Sequence, residues 1–134
     1  MNDSSSGTSQ RILVVDDNQD IYAFMRAALE GAGYQVQTAS EGAQALALQR
    51  ERPADLLITD IFMPVQEGFE TISRFRVEFP RTRIIVMSAG NVPGMKHDFL
   101  VTAGLLGVGA TLRKPFDADQ LLDAVRRVLP PRQI

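Results

Sequence analysis

Five polar residues that could handle a phosphate group each follow a short apolar run of the sequence. They are two adjacent acids, a third acid, a serine and a lysine: Asp16, Asp17, Asp60, Ser88 and Lys114. The carboxyl ends of parallel strands meet at one edge of a sheet, and open α/β sheets bind their ligands at that edge. If the apolar runs are parallel strands, we expect these five side chains to form a single site.

The chemistry that this set could perform is phosphoryl transfer. Three crowded carboxylates either acquire a raised pKa or require a cation, and Mg²⁺ is a hard ion that prefers oxygen ligands. A cation, the Lys114 ammonium and the Ser88 hydroxyl facing one carboxylate would bind a dianionic, oxygen-rich group such as phosphate. Aspartate can attack phosphoryl groups, and their transfer is catalysed mainly by positioning and charge neutralisation. We therefore predict that Asp60 accepts a phosphoryl group beside Mg²⁺ held with Asp16 and Asp17.

Apolar strands and amphipathic helices alternate along the chain. The pattern predicts strands over residues 12–15, 34–38, 56–59, 84–87 and 111–113. It predicts helices over residues 20–32, 41–50, 68–78, 96–106 and 118–129, the last one capped by Asp117. A strand-helix unit repeated five times indicates an α/β protein with a doubly wound, five-stranded parallel sheet, because right-handed crossovers place helices on both faces.

Length and composition limit the classes of protein to be considered. A chain of 134 residues with 45% hydrophobic content fits one domain, which we place at residues 11–130, between a disordered lead-in (1–10) and a short tail (131–134). A formal charge of −2 argues against direct nucleic-acid binding. The chain has no cysteine, and we find neither a secretory signal nor a membrane span. These features predict a cytoplasmic protein that does not bind membranes.

Four motifs give the chain a family resemblance. They are ILVVDDN, LLITDIFMPVQEG, IIVMSAG and LRKPF, in that order. From residue 11 to residue 129 the chain resembles the receiver domains of two-component response regulators, including single-domain chemotaxis and phosphorelay regulators. The resemblance implies a flavodoxin-like (βα)5 fold with strand order 2-1-3-4-5. It also implies a histidine kinase or phosphotransfer protein as phosphoryl donor, and an unknown downstream protein as target, and it leaves homodimerisation open.

The resemblance assigns the metal ligands residue by residue. Asp17 is similar to the acid that binds Mg²⁺ directly, and Asp16 to the acid that acts through water. Asp60 resembles the phosphorylated residue and a further metal ligand. The backbone carbonyl of Phe62 resembles the remaining protein ligand. The expected cofactor is therefore Mg²⁺.

The resemblance also assigns the residues around the phosphoryl group. Ser88 and the amide of Ala89 are similar to the donors that bind phosphoryl oxygens, and Lys114 is similar to the lysine that neutralises them. Pro115 resembles a cis-proline that we expect to hold Lys114 in place. We expect Gly68 to meet a backbone requirement in the turn after the third strand.

One position departs from the family in a way that concerns signalling. Thr111 lies three residues before Lys114, where receivers usually carry Tyr or Phe as a rotameric switch. Threonine cannot swing a large ring between buried and exposed positions. We therefore expect a phosphate mimic to move the Ser88 loop without an aromatic rotamer change at residue 111.

Two alternatives to a phosphorylated receiver follow from the same residues. A pseudo-receiver would bind partners without phosphorylation, but the five site residues are all present. A haloacid-dehalogenase-like phosphohydrolase also uses an aspartyl nucleophile and Mg²⁺, but it requires a second Asp where this chain has Phe62. We expect no substrate of the protein's own, and at most weak hydrolysis of its own phosphoryl group. Because few residues follow the predicted last helix, we expect the output to pass through a partner or through a part of the protein outside this sequence.

Phe62 should prolong the life of the phosphoryl group. It lies two positions after Asp60, where polar side chains commonly help to orient the attacking water in receivers, and its ring cannot donate hydrogen bonds. We predict that Phe62→Asn shortens the phosphoryl lifetime, measured as decay of the phosphorylated mass after removal of the donor. An unchanged or longer lifetime would contradict this role.

Overall fold

The computed structural model describes residues 10–61, 65–88 and 108–129. The strands in these ranges are β1 (Arg11–Val15), β2 (Gln35–Ala39), β3 (Leu56–Asp60), β4 (Arg83–Ser88) and β5 (Ala110–Arg113). The helices are α1 (Gln19–Gly31), α2 (Gly42–Glu51), α3 (Val65–Glu78) and α4 (Ala118–Val128). Each strand lies within one residue of its predicted ends. The predicted helix at 96–106, the tail and residues 1–9 of the lead-in lie outside the described residues.

The five strands form one parallel sheet in the order β2-β1-β3-β4-β5. This order confirms the doubly wound sheet and the flavodoxin-like topology. β3 lies between β1 and β4, with Ile58 opposite Val14 on one side and Ile85 on the other. All five residues of β3 are buried, which explains why its sequence is apolar up to its last two residues.

The sheet has a hydrophobic core on each face, because side chains alternate along a strand. One core contains Ile12, Ile58 and Ile85, and it is covered by α1 and α4. The other contains Leu13, Leu57 and Val86, and it is covered by α2 and α3. Burial of each large apolar side chain stabilises the fold by about 1.5–3 kcal/mol. The strand ends that carry the polar residues are therefore fixed by packing on two sides.

Side-chain caps fix the starts of two helices. Asn18 caps α1, and its side-chain oxygen accepts hydrogen bonds from the amides of Asp20 (2.9 Å) and Ile21 (3.3 Å). Asp117 caps α4 in a reciprocal capping box with Gln120, which confirms the predicted start of that helix.

The prediction that Gly68 lies in a turn is wrong. Helix α3 begins at Val65, so the buried Gly68 lies in its first turns. A Cβ atom at Gly68 would lie 2.9 Å from the Ile61 carbonyl oxygen and 3.0 Å from its Cα. The glycine is needed because the helix packs directly on the backbone that follows β3, a contact that outweighs its low helix propensity.

No helix in the described ranges is both long enough and apolar enough to cross a membrane.

Close packing at Gly68 predicts that Gly68→Ala is destabilising. The Ile61 backbone cannot move aside as a flexible side chain could, so we expect a loss of about 1–3 kcal/mol in the free energy of unfolding. Gly31→Ala is the matched control, since nothing lies within 4 Å of a Cβ there and its φ is not positive. Urea denaturation of both variants measures the difference. Equal denaturation midpoints for the two alanine variants would show that a Cβ atom at residue 68 does not clash with the Ile61 backbone.

Candidate functional site

The predicted site residues lie together at the carboxyl end of the sheet. Asp60 is the last residue of β3 and Ser88 the last of β4. Asp16 follows β1, and its amide donates to the Ala39 carbonyl at 3.1 Å. Lys114 follows β5, and its amide donates to the Ser88 carbonyl at 2.7 Å. Backbone hydrogen bonds thus continue past the strands and fix where these side chains start.

The three acids form one cluster. Carboxylate oxygens of Asp16, Asp17 and Asp60 all lie within 4.8 Å of one another. Asp16 is fully buried and Asp60 is 4% exposed, whereas Asp17 is open to solvent. Two of the three carboxylates are therefore removed from water. Like charges repel each other more strongly in the protein interior than in water, because the dielectric constant there is lower.

Lys114 bridges the two buried acids. Its ammonium lies 2.8 Å from Asp16 Oδ2 and 3.0 Å from Asp60 Oδ2, and its side chain is 18% exposed. One positive charge therefore compensates two buried carboxylates, and the cluster of four groups keeps an excess of negative charge. Burying these charges costs free energy because they lose their hydration, and the hydrogen bonds between them must offset that cost.

The electrostatics of the site reflect this imbalance. Burial raises the pKa of the Asp16 carboxyl, and hydrogen bonds from Lys114 and the Asn18 amide only partly oppose the effect. Burial alone would lower the pKa of Lys114, but its hydrogen bonds to Asp16 and Asp60 outweigh burial and raise the pKa. The lysine is thus held in its charged form, and a further cation beside Asp16 would relieve the remaining repulsion.

The acid cluster has the donor chemistry of a divalent cation site. Its carboxylates can supply several oxygens, and the exposed Asp17 leaves the cluster accessible from solvent. Hard ions such as Mg²⁺ prefer oxygen ligands and usually keep several waters. Asp16, Asp17 and Asp60 could therefore hold such an ion, in agreement with the set predicted from the sequence.

One residue that positions the site was missed in the sequence. The amide of Asn18 donates to Asp16 Oδ1 at 2.8 Å, while its side chain caps α1. Asn18 thereby links the start of a helix to the orientation of a buried acid. The pattern Asp-Asp-Asn before an amphipathic segment is a recognisable helix start and could have revealed it.

Of the other predicted site positions, the structure describes three and leaves two outside its described residues. The Lys114–Pro115 peptide bond is cis, as expected. Thr111 lies in β5 opposite Val86, with its side chain exposed. Ser88 is fully buried at the end of β4. The Phe62 carbonyl and the Ala89 amide lie outside the described residues, so their roles stay predictions.

Comparison with known proteins agrees with this site. The family of the response regulator receiver domain matches residues 12–126. Sporulation initiation phosphotransferase F of Bacillus subtilis is 32% identical over 122 residues, which cover 91% of this chain and 95% of that protein. The structure of the chemotaxis response regulator CheY4 of Vibrio cholerae superposes with a TM-score of 0.79 at 33% identity, covering 91% of this chain and all of that one.

Longer proteins match over only part of their length. The alginate biosynthesis transcriptional regulatory protein AlgB of Pseudomonas aeruginosa is 33% identical over 132 residues, which are 98% of this chain but 28% of that regulator. This chain belongs to the receiver domain family of two-component response regulators, which are signalling modules. Receiver domains of this family interact with histidine kinases or phosphotransfer proteins.

The bridging lysine predicts a stability effect that depends on metal. Lys114→Met would remove the hydrogen bonds from the ammonium to two buried carboxylates, so we expect the free energy of unfolding to fall by about 1–3 kcal/mol in EDTA. Mg²⁺ should restore more stability to this variant than to the parent protein, because it would supply the missing charge. Urea denaturation with EDTA or MgCl₂ measures both effects.

Arg26→Met is the control for that experiment. Arg26 pairs with Glu30 at 3.2 Å on the surface, where such pairs contribute little, so its loss should change stability by about 0.5 kcal/mol or less. If Lys114→Met in EDTA were as stable as Arg26→Met, the lysine would not be compensating the acids.

Proposed function

We propose that this chain is a phosphoacceptor receiver whose Asp60 takes a phosphoryl group from a histidine kinase or phosphotransfer protein. The observation that carries the proposal is the position of Asp60, nearly buried at the end of a central strand, 3.0 Å from the Lys114 ammonium and clustered with Asp16 and Asp17. The phosphorylated domain then signals through changed contacts with a partner protein.

Each residue has a defined part in the transfer. An Oδ atom of Asp60 attacks the phosphorus of a phosphohistidine, so that an O–P bond forms while the P–N bond breaks and the imidazole leaves. Lys114 compensates the charge on the transferred group, because its ammonium already contacts Asp60. Ser88 ends the neighbouring strand, and its hydroxyl donates to a phosphoryl oxygen. Asp16, Asp17 and Asp60, with the predicted Phe62 carbonyl, would hold Mg²⁺, which would supply further charge neutralisation.

Reaction with a phosphohistidine fits the shape of the site. The acceptor ends a central strand beside the solvent-exposed Asp17, which places it next to the protein surface where a partner would dock. Positioning and charge neutralisation are the main requirements of phosphoryl transfer, and the described residues provide both. One relative is named a phosphotransferase and another a chemotaxis response regulator, which supports a role in passing phosphoryl groups or signals between proteins.

The alternatives have less support. A phosphohydrolase of the haloacid dehalogenase type would need an acid two residues after its nucleophile, and Phe62 occupies that position. A pseudo-receiver could lack part of the phosphoacceptor set, whereas this chain carries all of its acids, its serine and its lysine. The complete arrangement of acids, lysine and buried serine favours phosphorylation.

Incubation with acetyl phosphate and Mg²⁺, followed by intact mass spectrometry, tests the proposal. We expect the parent protein to gain the mass of one phosphoryl group and Asp60→Asn to gain none, because the amide is not a nucleophile of this kind. EDTA should suppress the gain in the parent protein, since charge neutralisation by the metal is then lost.

Asp119→Asn is the matched control for that experiment. Asp119 is an exposed acid in the first turn of α4, and its variant should gain mass as the parent does. A parent protein that stays unmodified under these conditions would favour the pseudo-receiver, and a gain retained by Asp60→Asn would place the acceptor elsewhere.

A further inference from the structure

Four arginines, three of them between residues 76 and 83 and the fourth at 127, line one cavity at the amino end of the sheet. The cavity has a volume of about 550 Å³. Its described lining includes Arg76, Arg81, Arg83 and Arg127, and no Asp or Glu. A chain with a net charge of −2 thus collects four cations around one concave surface. This end of the sheet is opposite to the end that carries the acid cluster.

A buried hydrogen-bond network fixes the loop that carries two of these arginines. The Gln49 side chain is fully buried, donates to Thr82 Oγ1 at 3.0 Å and accepts from the Ala54 amide at 2.9 Å. Thr82 Oγ1 in turn donates to the Ala54 carbonyl at 3.2 Å. Because Arg81 and Arg83 flank Thr82, their backbones are held in place before any ligand arrives, which lowers the entropic cost of binding.

The floor of the cavity is also fixed. The Gly109 amide donates to the Ile84 carbonyl at 2.7 Å, and a Cβ atom at Gly109 would lie 2.9 Å from Val128 Cγ1. Arg83 Nη1 donates to the Val128 carbonyl at 3.1 Å, which uses one of the five N–H groups of its guanidinium. The remaining N–H groups of Arg83 can contact a ligand.

Stabilisation of helix ends explains only part of this arrangement. Arg76 and Arg127 lie in the last turns of α3 and α4, where cations interact favourably with the helix dipole. Arg127 also pairs with Asp123 at 3.6 Å, but both side chains are about two-thirds exposed and such pairs contribute little. Arg81 lies between α3 and β4, where neither explanation applies.

We propose that this arginine cavity binds a small multivalent oxyanion of the di- or triphosphate class. Guanidinium groups bind phosphate oxygens in a bidentate manner, and several of them around one concave surface favour a ligand with more than one negative charge. A volume of about 550 Å³ is within the usual range for small-molecule sites. The site is separate from Asp60 and does not depend on the phosphoacceptor function.

Isothermal titration calorimetry with inorganic pyrophosphate tests the proposal, at low ionic strength and in EDTA so that no metal complex forms. We expect one site per chain and weaker binding of orthophosphate. Arg81→Gln should weaken binding, and Arg81→Gln combined with Arg83→Gln should weaken it by about tenfold or more, because hydrogen bonds to charged groups are lost. Added salt should weaken binding as well.

Three controls separate the cavity from other sources of anion binding. Arg74→Gln, on the same helix as Arg76 but paired with Glu70 at 3.2 Å, should bind pyrophosphate as the parent does. Asp60→Asn should also bind as the parent does if the acid cluster is not involved. A thermal melt of each variant in the absence of anion shows that the loop variants are folded.

Each possible result of the titrations either supports or overturns the proposal. Weaker pyrophosphate binding by Arg81→Gln and by the double variant, with parent-like binding by Arg74→Gln and Asp60→Asn, supports the proposal. Equal affinity of the double variant and the parent overturns it, as does loss of binding in Asp60→Asn. Tighter binding of citrate than of pyrophosphate overturns the phosphate class. Binding of a polyglutamate peptide without binding of pyrophosphate overturns the small-molecule ligand in favour of an acidic protein segment.

Discussion

The contact of one ammonium with two buried carboxylates is the interaction on which the site depends. Asp16 and Asp60 come from neighbouring strands, and their charges could not be buried side by side without a cation. Lys114 provides it from the end of β5, at the far edge of the sheet. A residue late in the chain thus makes it possible for two earlier ones to be both buried and charged.

The fold supplies the rigidity that this contact requires. Parallel strands with apolar packing on both faces bring their carboxyl ends to one edge, and backbone hydrogen bonds continue to Asp16 and Lys114. Helix α3 packs so closely on the residue after Asp60 that only glycine fits at position 68. The acceptor is therefore fixed by its strand, by the helix that follows, and by the lysine.

The sequence predicts most of this architecture, because strands buried on both faces leave continuous apolar runs and the site residues interrupt those runs. The sequence does not predict the contacts between segments that are far apart in the chain. The role of Gly68 depends on its approach to the Ile61 backbone, which no local pattern contains. The role of Asn18 combines a helix cap, which the Asp-Asp-Asn pattern indicates, with a backbone hydrogen bond to Asp16, which the pattern alone does not show. The arginine cavity brings Arg127 to three arginines more than forty positions earlier in the chain, and no local pattern shows that they meet.

Strand β4 connects the arginine cavity to the acid cluster. It begins with Arg83 at the arginine cavity and ends with Ser88 beside the acid cluster. At about 3.3 Å per residue the two residues are about 16 Å apart, roughly twice the Debye length at physiological ionic strength. Salt therefore largely screens the exposed charges at the two ends from each other, but it screens the buried Asp16 and Asp60 much less. Because the two sites share this strand, a displacement of β4 at one end would also reach the other end.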